Sequence, residues 1–156
     1  MLKLENKFFL KIDSIEEEKT DNKIENEIVE KIENIIEPDN IEIDIKNIKP
    51  ITINSYYKKF KNRLIISKEG QQFNTSILNH LKDLKNSKVL GPIKVDLEFH
   101  FTDRRIHDLD NLFKPIIDIL KNIVFEDDKE IYEINARKKL KQPIYRILIK
   151  ISKIIE

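Results

Sequence analysis

From Ile93 to Phe101 the chain alternates without a break: Ile93, Val95, Leu97, Phe99 and Phe101 are large and apolar, and Lys94, Asp96, Glu98 and His100 stand between them. A period of two held this long cannot present one apolar side as a helix. It predicts a strand with one face in a core. Ile41, Ile43 and Ile45 alternate with Glu42, Asp44 and Lys46 in the same way and are read as the first strand of the main domain. Ile131 to Leu140 and Ile144 to Ile151 are two further strands, and Gln142-Pro143 lies between them at hairpin distance, so a terminal hairpin is expected.

Helical periods fill the gaps. Ser67 is an N-cap candidate for a helix whose stripe is Ile77, Leu78, Leu81 and Leu84, running to about Asn86 and closed by Gly91-Pro92. Leu112, Phe113, Ile116, Ile117 and Leu120 form the apolar side of another, ending near Asn122, with Phe125 to Lys129 an acidic turn. Lys49-Pro50 to Tyr57 reads as a loop, and KKFKNRLIIS as a basic stretch entering one short strand. Before Pro38, a short strand over Lys7–Ile12 and an acidic amphipathic helix (Ile24, Ile28, Val29, Ile32, Ile35, Ile36) are expected. The fold class is α+β, a small mixed sheet with packed helices, divided into an acidic strand/helix extension over 1–39 and a main domain over 40–156. The extension is read as an added helix on the sheet, a dimer element or a cover for a basic groove.

The net charge of +1 conceals a division: residues 1–48 carry −7 and the remainder +8. A basic domain suits a polyanion, because neutralising phosphates releases condensed counterions. A merely basic solvated surface fits the charge equally well. There are no cysteines, and the three histidines are scattered over His80, His100 and His107. Disulfides, thiol nucleophiles and thiolate zinc sites are therefore excluded, and any metal is held mainly by oxygen, which favours Mg²⁺, or Mn²⁺ as a second choice. No run reaches the length of a membrane span, and MLKLENKFFLKIDS lacks the long apolar region of a secretory signal, so a cytoplasmic protein without a membrane partner is expected.

Chemistry concentrates after the long strand. Asp108 and Asp110 end a loop, Lys114 stands one helical turn on, and Asp127-Asp128 follows the helix. An isolated Asp-x-Asp is most simply a helix cap, with Lys114 a surface ion pair. If Asp110 is the cap, Pro115 must lie near the first turn or bend the helix. Together the residues suit phosphodiester hydrolysis, which needs an activated water and compensation for charge growing on the phosphoryl oxygens; carboxylates holding a metal supply both, and a lysine assists.

The run H-D-L-D-N-L-F-K-P-I-I-D-I-L, followed by F-E-D-D, resembles the RusA family of crossover-junction endodeoxyribonucleases, Holliday-junction resolvases. N-S-Y-Y-K, I-S-K-E-G-Q-Q-F, V-D-L-E-F-H-F and F-T-D-R-R are similar to family segments in order and spacing, so the resemblance covers roughly Ile41 to Ile151. It implies a homodimer that binds a four-way DNA junction and makes paired symmetric nicks with Mg²⁺, in recombination and repair. Residue by residue, it implies that Asp108, Asp110 and Asp128 are metal-binding and catalytic, that Lys114 is the catalytic lysine, and that Asp127 is a secondary ligand. Asp118 is assigned a structural role, and His107, where arginine is common, is read first as a loop histidine and otherwise as a group reaching metal or phosphate.

Arg104 and Arg105, just before the acids, are the strongest candidates for DNA contacts; Lys58, Lys68 and Lys138 are further ones, and Lys59, Lys61, Arg63, Arg137 and Lys139 belong to the same basic set. Tyr56 and Tyr57 are read either as base-stacking residues or as core or interface residues. Two alternatives stand beside junction resolution: a nuclease for flaps, forks or other branched DNA, and a DNA-binding protein without catalysis.

Overall fold

The computed structural model describes residues 38–84 and 87–155. The strand and amphipathic helix expected before Pro38 lie outside these residues. In chain order the elements are β1 (Asn40–Lys46), the single-turn helix α1 (Ile53–Tyr56), β2 (Tyr57–Phe60), β3 (Arg63–Ile66), α2 (Lys68–His80), β4 (Ile93–His100), α3 (Asp110–Leu120), β5 (Ile131–Lys139) and β6 (Arg146–Lys153).

The four strands expected of the main domain, β1, β4, β5 and β6, become the sheet. Its order is β1-β6-β4-β5. β6 pairs antiparallel with both β1 and β4, while β4 and β5 run parallel and are joined through α3. Ile41, Ile43 and Ile45 of β1, Ile147, Ile149 and Ile151 of β6, and Val95, Leu97 and Phe99 of β4 form one buried face. They share a core with Phe73, Ile77 and Leu81 from the α2 side and with Leu112, Ile116, Ile117 and Leu120 of α3. This is the expected α+β arrangement.

The terminal hairpin is not formed, because β4 lies between β5 and β6. Burial explains the outcome: β6 has an apolar residue to bury at every second position and takes an interior place, whereas β5 is exposed along most of its length and forms an edge. The basic stretch is also more than one strand. β2 and β3 pair as a hairpin of their own, turned by Lys61 and Asn62 at φ 43° and 61°. Two successive left-handed residues match the twist of a two-residue hairpin turn.

Ser67 caps α2 as expected, its Oγ accepting from the Gly70 amide at 2.9 Å. The same hydroxyl donates to the Ser55 carbonyl at 2.5 Å and ties α2 to α1. Gly70 fits because a Cβ there would stand 2.4 Å from the Tyr56 carbonyl oxygen. The helix stops at His80, short of the expected Asn86, with a 3₁₀ turn over Lys82–Leu84. In α3 the cap position is Leu109, and Asp110 is the first helical residue with no side-chain cap bond. Pro115 is thus well inside the helix rather than in its first turn, and lacks the N–H that would reach the Asn111 carbonyl. Its ring is buried, so packing on the core offsets the missing bond.

Candidate active site

The loop between β4 and α3 brings up the acids. Phe101 is fully buried, and the His107 ring stacks on it with centroids 4.8 Å apart. The Lys138 ammonium donates to the His107 carbonyl. His107 is thus packed into the loop through its ring and its carbonyl, while its Nε2 is buried without a hydrogen-bond partner among the described residues. Asp108 and Asp110 follow with exposed side chains, and Arg104 and Arg105 are exposed ahead of them. Lys58 and Lys68 are exposed as well, whereas Lys138 is half-buried and engaged with the loop.

Lys114 is held by α3 and the turn after it. Its Nζ lies 2.7 Å from Asp118 Oδ1 and 3.6 Å from Asp128 Oδ2. Lys121 approaches the same acidic turn, 3.1 Å from Asp128 and 3.3 Å from Asp127. From the base of the β2–β3 hairpin, the Tyr57 hydroxyl donates to Asp118 Oδ2 at 2.9 Å. A continuous chain therefore runs Tyr57, Asp118, Lys114, Asp128, Lys121, Asp127.

The charges follow this geometry. The Asp118 carboxylate, and then Asp128, hold Lys114 above the usual lysine range, so it is an ammonium at neutral pH and supplies charge rather than a base. Burial first, and then the hydrogen bond to Asp118, push the Tyr57 phenol up to about 12, so it remains a donor. The Lys129 amide, and then Lys121, lower Asp127 to about 2.

The structure brings Lys114 to Asp128 but does not gather all the predicted ligands: among the described residues no three Asp, Glu or His side chains cluster closely enough to hold an ion. Asp108 and Asp110 sit at the start of α3, and Asp128 opens the turn before β5. The donor set remains one of carboxylate oxygens, the chemistry a hard cation takes. Sequence reasoning missed Tyr57 as a partner of the site and gave Asp118 no link to Lys114 beyond the helix. The i,i+4 spacing of Lys114 and Asp118 was a usable signal; nothing local marks Tyr57, which lies 61 residues from its partner.

Comparison with known proteins shows the family. The family model for the endodeoxyribonuclease RusA matches residues 47–152, and the chain belongs to that family. Among curated relatives, the crossover junction endodeoxyribonuclease RusA of Shigella sonnei (strain Ss046) is 34% identical over 86 residues, which cover 54% of this chain and 72% of the relative. The protein of the same name from Escherichia coli (strain K12) is 33% identical over the same shares, and that of Enterobacteria phage 82 is 34% identical.

Proposed function

We propose that the protein is a metal-dependent endonuclease that resolves four-way DNA junctions by paired symmetric nicks, acting as a homodimer in the cytoplasm. The observation that carries this reading is the Lys114 ammonium, held by Asp118 and Asp128 on the helix that Asp110 begins. Family membership and the relatives' names support the junction as substrate.

In this reading Asp108 and Asp110, at the start of α3, and Asp128, in the turn before β5, would supply the carboxylates for Mg²⁺, or Mn²⁺ in its place, and would have to close together to do so, since no three such side chains cluster among the described residues. When bound, the ion supplies an acidified water and compensates charge on the phosphoryl oxygens. The remaining work falls to the chain's own groups. Lys114 keeps a positive charge beside the scissile phosphate, where charge growing in the transition state is stabilised by a preorganised donor. Asp118 and Tyr57 fix where that charge lies. Arg104 and Arg105 contact phosphates of the same strand, and Lys58 and Lys68 neutralise others, whereas Lys138, engaged with the His107 carbonyl, would do so only on leaving it.

The test is purified protein with Mg²⁺ on a synthetic four-way junction and on linear duplex. Symmetric nicking of the junction alone is expected. Equal cutting of flaps, forks and duplexes would replace the junction reading with a branched-DNA nuclease. Absence of cleavage with any divalent metal would leave a DNA-binding protein.

A further inference from the structure

The β2–β3 hairpin exposes what a soluble surface ordinarily hides. Phe60 is 55% exposed and Leu64 69% exposed, next to the turn. The register sets them on opposite faces: Phe60 pairs with Arg63, and Lys59 with Leu64. Each face of the tip thus carries one apolar side chain beside one cation. Lys58, Lys59, Lys61 and Arg63 add four positive charges, and residues 57–66 contain no acid. The Lys61 ammonium lies 5.6 Å from the Phe60 ring, a cation held over an aromatic face.

Lysines alone on an exposed strand are a common guard against edge pairing. That guard explains the cations and not Phe60 or Leu64, which cost solubility unless something covers them. The hairpin is also tied to the candidate active site, because Tyr57 at its base holds Asp118, the partner of Lys114.

We propose that the tip is a contact for unpaired bases at a DNA branch: Phe60 and Leu64 pack against bases released from the stack, while the four cations neutralise the flanking phosphates. Apolar side chains pack between or against unstacked bases because every base offers a π-face, and cations beside them track the backbone. The all-positive charge of the segment selects a polyanion over the same tip of a second copy, which would repel it. The inference deepens the proposed junction reading and rests on it for the identity of the branch.

The experiment uses the full chain without divalent metal and three DNAs carrying 2-aminopurine: a four-way junction, a duplex with an unpaired bubble, and a fully paired duplex. With wild type, fluorescence rises at the branch and at the bubble. Phe60→Ala combined with Leu64→Ala abolishes that rise and weakens binding to the junction and the bubble by about tenfold, on the order of one lost base stack, while duplex affinity stays within about twofold. Phe60→Trp restores both signals. Lys59→Gln with Arg63→Gln instead weakens all three DNAs and reduces the salt slope by about two, roughly one per phosphate contact. Unchanged fluorescence and affinity in the double alanine variant would overturn the proposal, as would a change in oligomeric state in place of a change in DNA binding. Wild type that prefers the bubble but not the junction would overturn the junction reading and leave the tip's role established by the bubble series.

Discussion

At the scale of single residues, the site depends on how Lys114 is held. Asp118 takes the Tyr57 hydroxyl on one oxygen and the Lys114 ammonium on the other, so removing the hydroxyl loosens the lysine without touching its charge. Tyr57→Phe should lower kcat several-fold at nearly constant KM, and melting should shift little, since the ring is kept. Loss of binding with unchanged kcat in steady-state kinetics would contradict this. Glu98 lies elsewhere, on the opposite face of the sheet, and is 5% exposed. Burial pushes its carboxyl up, but bonds from Lys139, His100 and Arg137 outweigh burial and bring it down to about 2. A depressed carboxylate stabilises the fold above its ordinary value near 4.5 and loses that contribution as pH falls toward about 2. Melting followed from pH 6 to 2 should therefore show a loss, starting below the ordinary glutamate range, that is smaller in Glu98→Gln. The variant should also be less stable at neutral pH by about 1–3 kcal/mol, because its cationic neighbours lose their acceptor.

At the scale of elements, α1 and α2 set the hairpin on the site. Gly70 sits against the Tyr56 carbonyl, and a methyl group there has no room. Gly70→Ala should cost about 1–3 kcal/mol in denaturant unfolding. It should also reduce cleavage, because Tyr57 is displaced with its neighbour; a stable, fully active variant would contradict the coupling. The elements themselves were legible where one periodicity dominated: β1, β4, β6 and the Ser67 cap are where alternation and capping chemistry put them. Partner order was not, since alternation says which face is buried and not which strand lies alongside. The β2–β3 turn was missed because Lys61-Asn62 lacks glycine and depends on two left-handed non-glycine residues. In the site, the placement of Asp110, Lys114 and Asp118 at successive four-residue steps was readable along one helix, whereas the return of Asp128 to Lys114 depends on the turn that follows it. Tyr57 was not, because only the packing of α1 on α3 brings it to Asp118.

At the scale of the whole molecule, the charge division has its own consequence. Residues 1–48 carry −7 against +8 in the remainder, a division from which we propose that the acidic stretch weakens DNA binding. Removing residues 1–38 should tighten binding to any DNA at low salt, with the gain fading as salt is raised; unchanged or weaker affinity would count against it. The central claim is that the acids ahead of Lys114 cut a branched DNA. It is tested most directly by cleavage of a four-way junction with Mg²⁺, wild type beside Asp110→Asn. The account predicts paired symmetric nicks by wild type, and junction binding without nicks by the variant. Nicking by Asp110→Asn at the wild-type rate would contradict it.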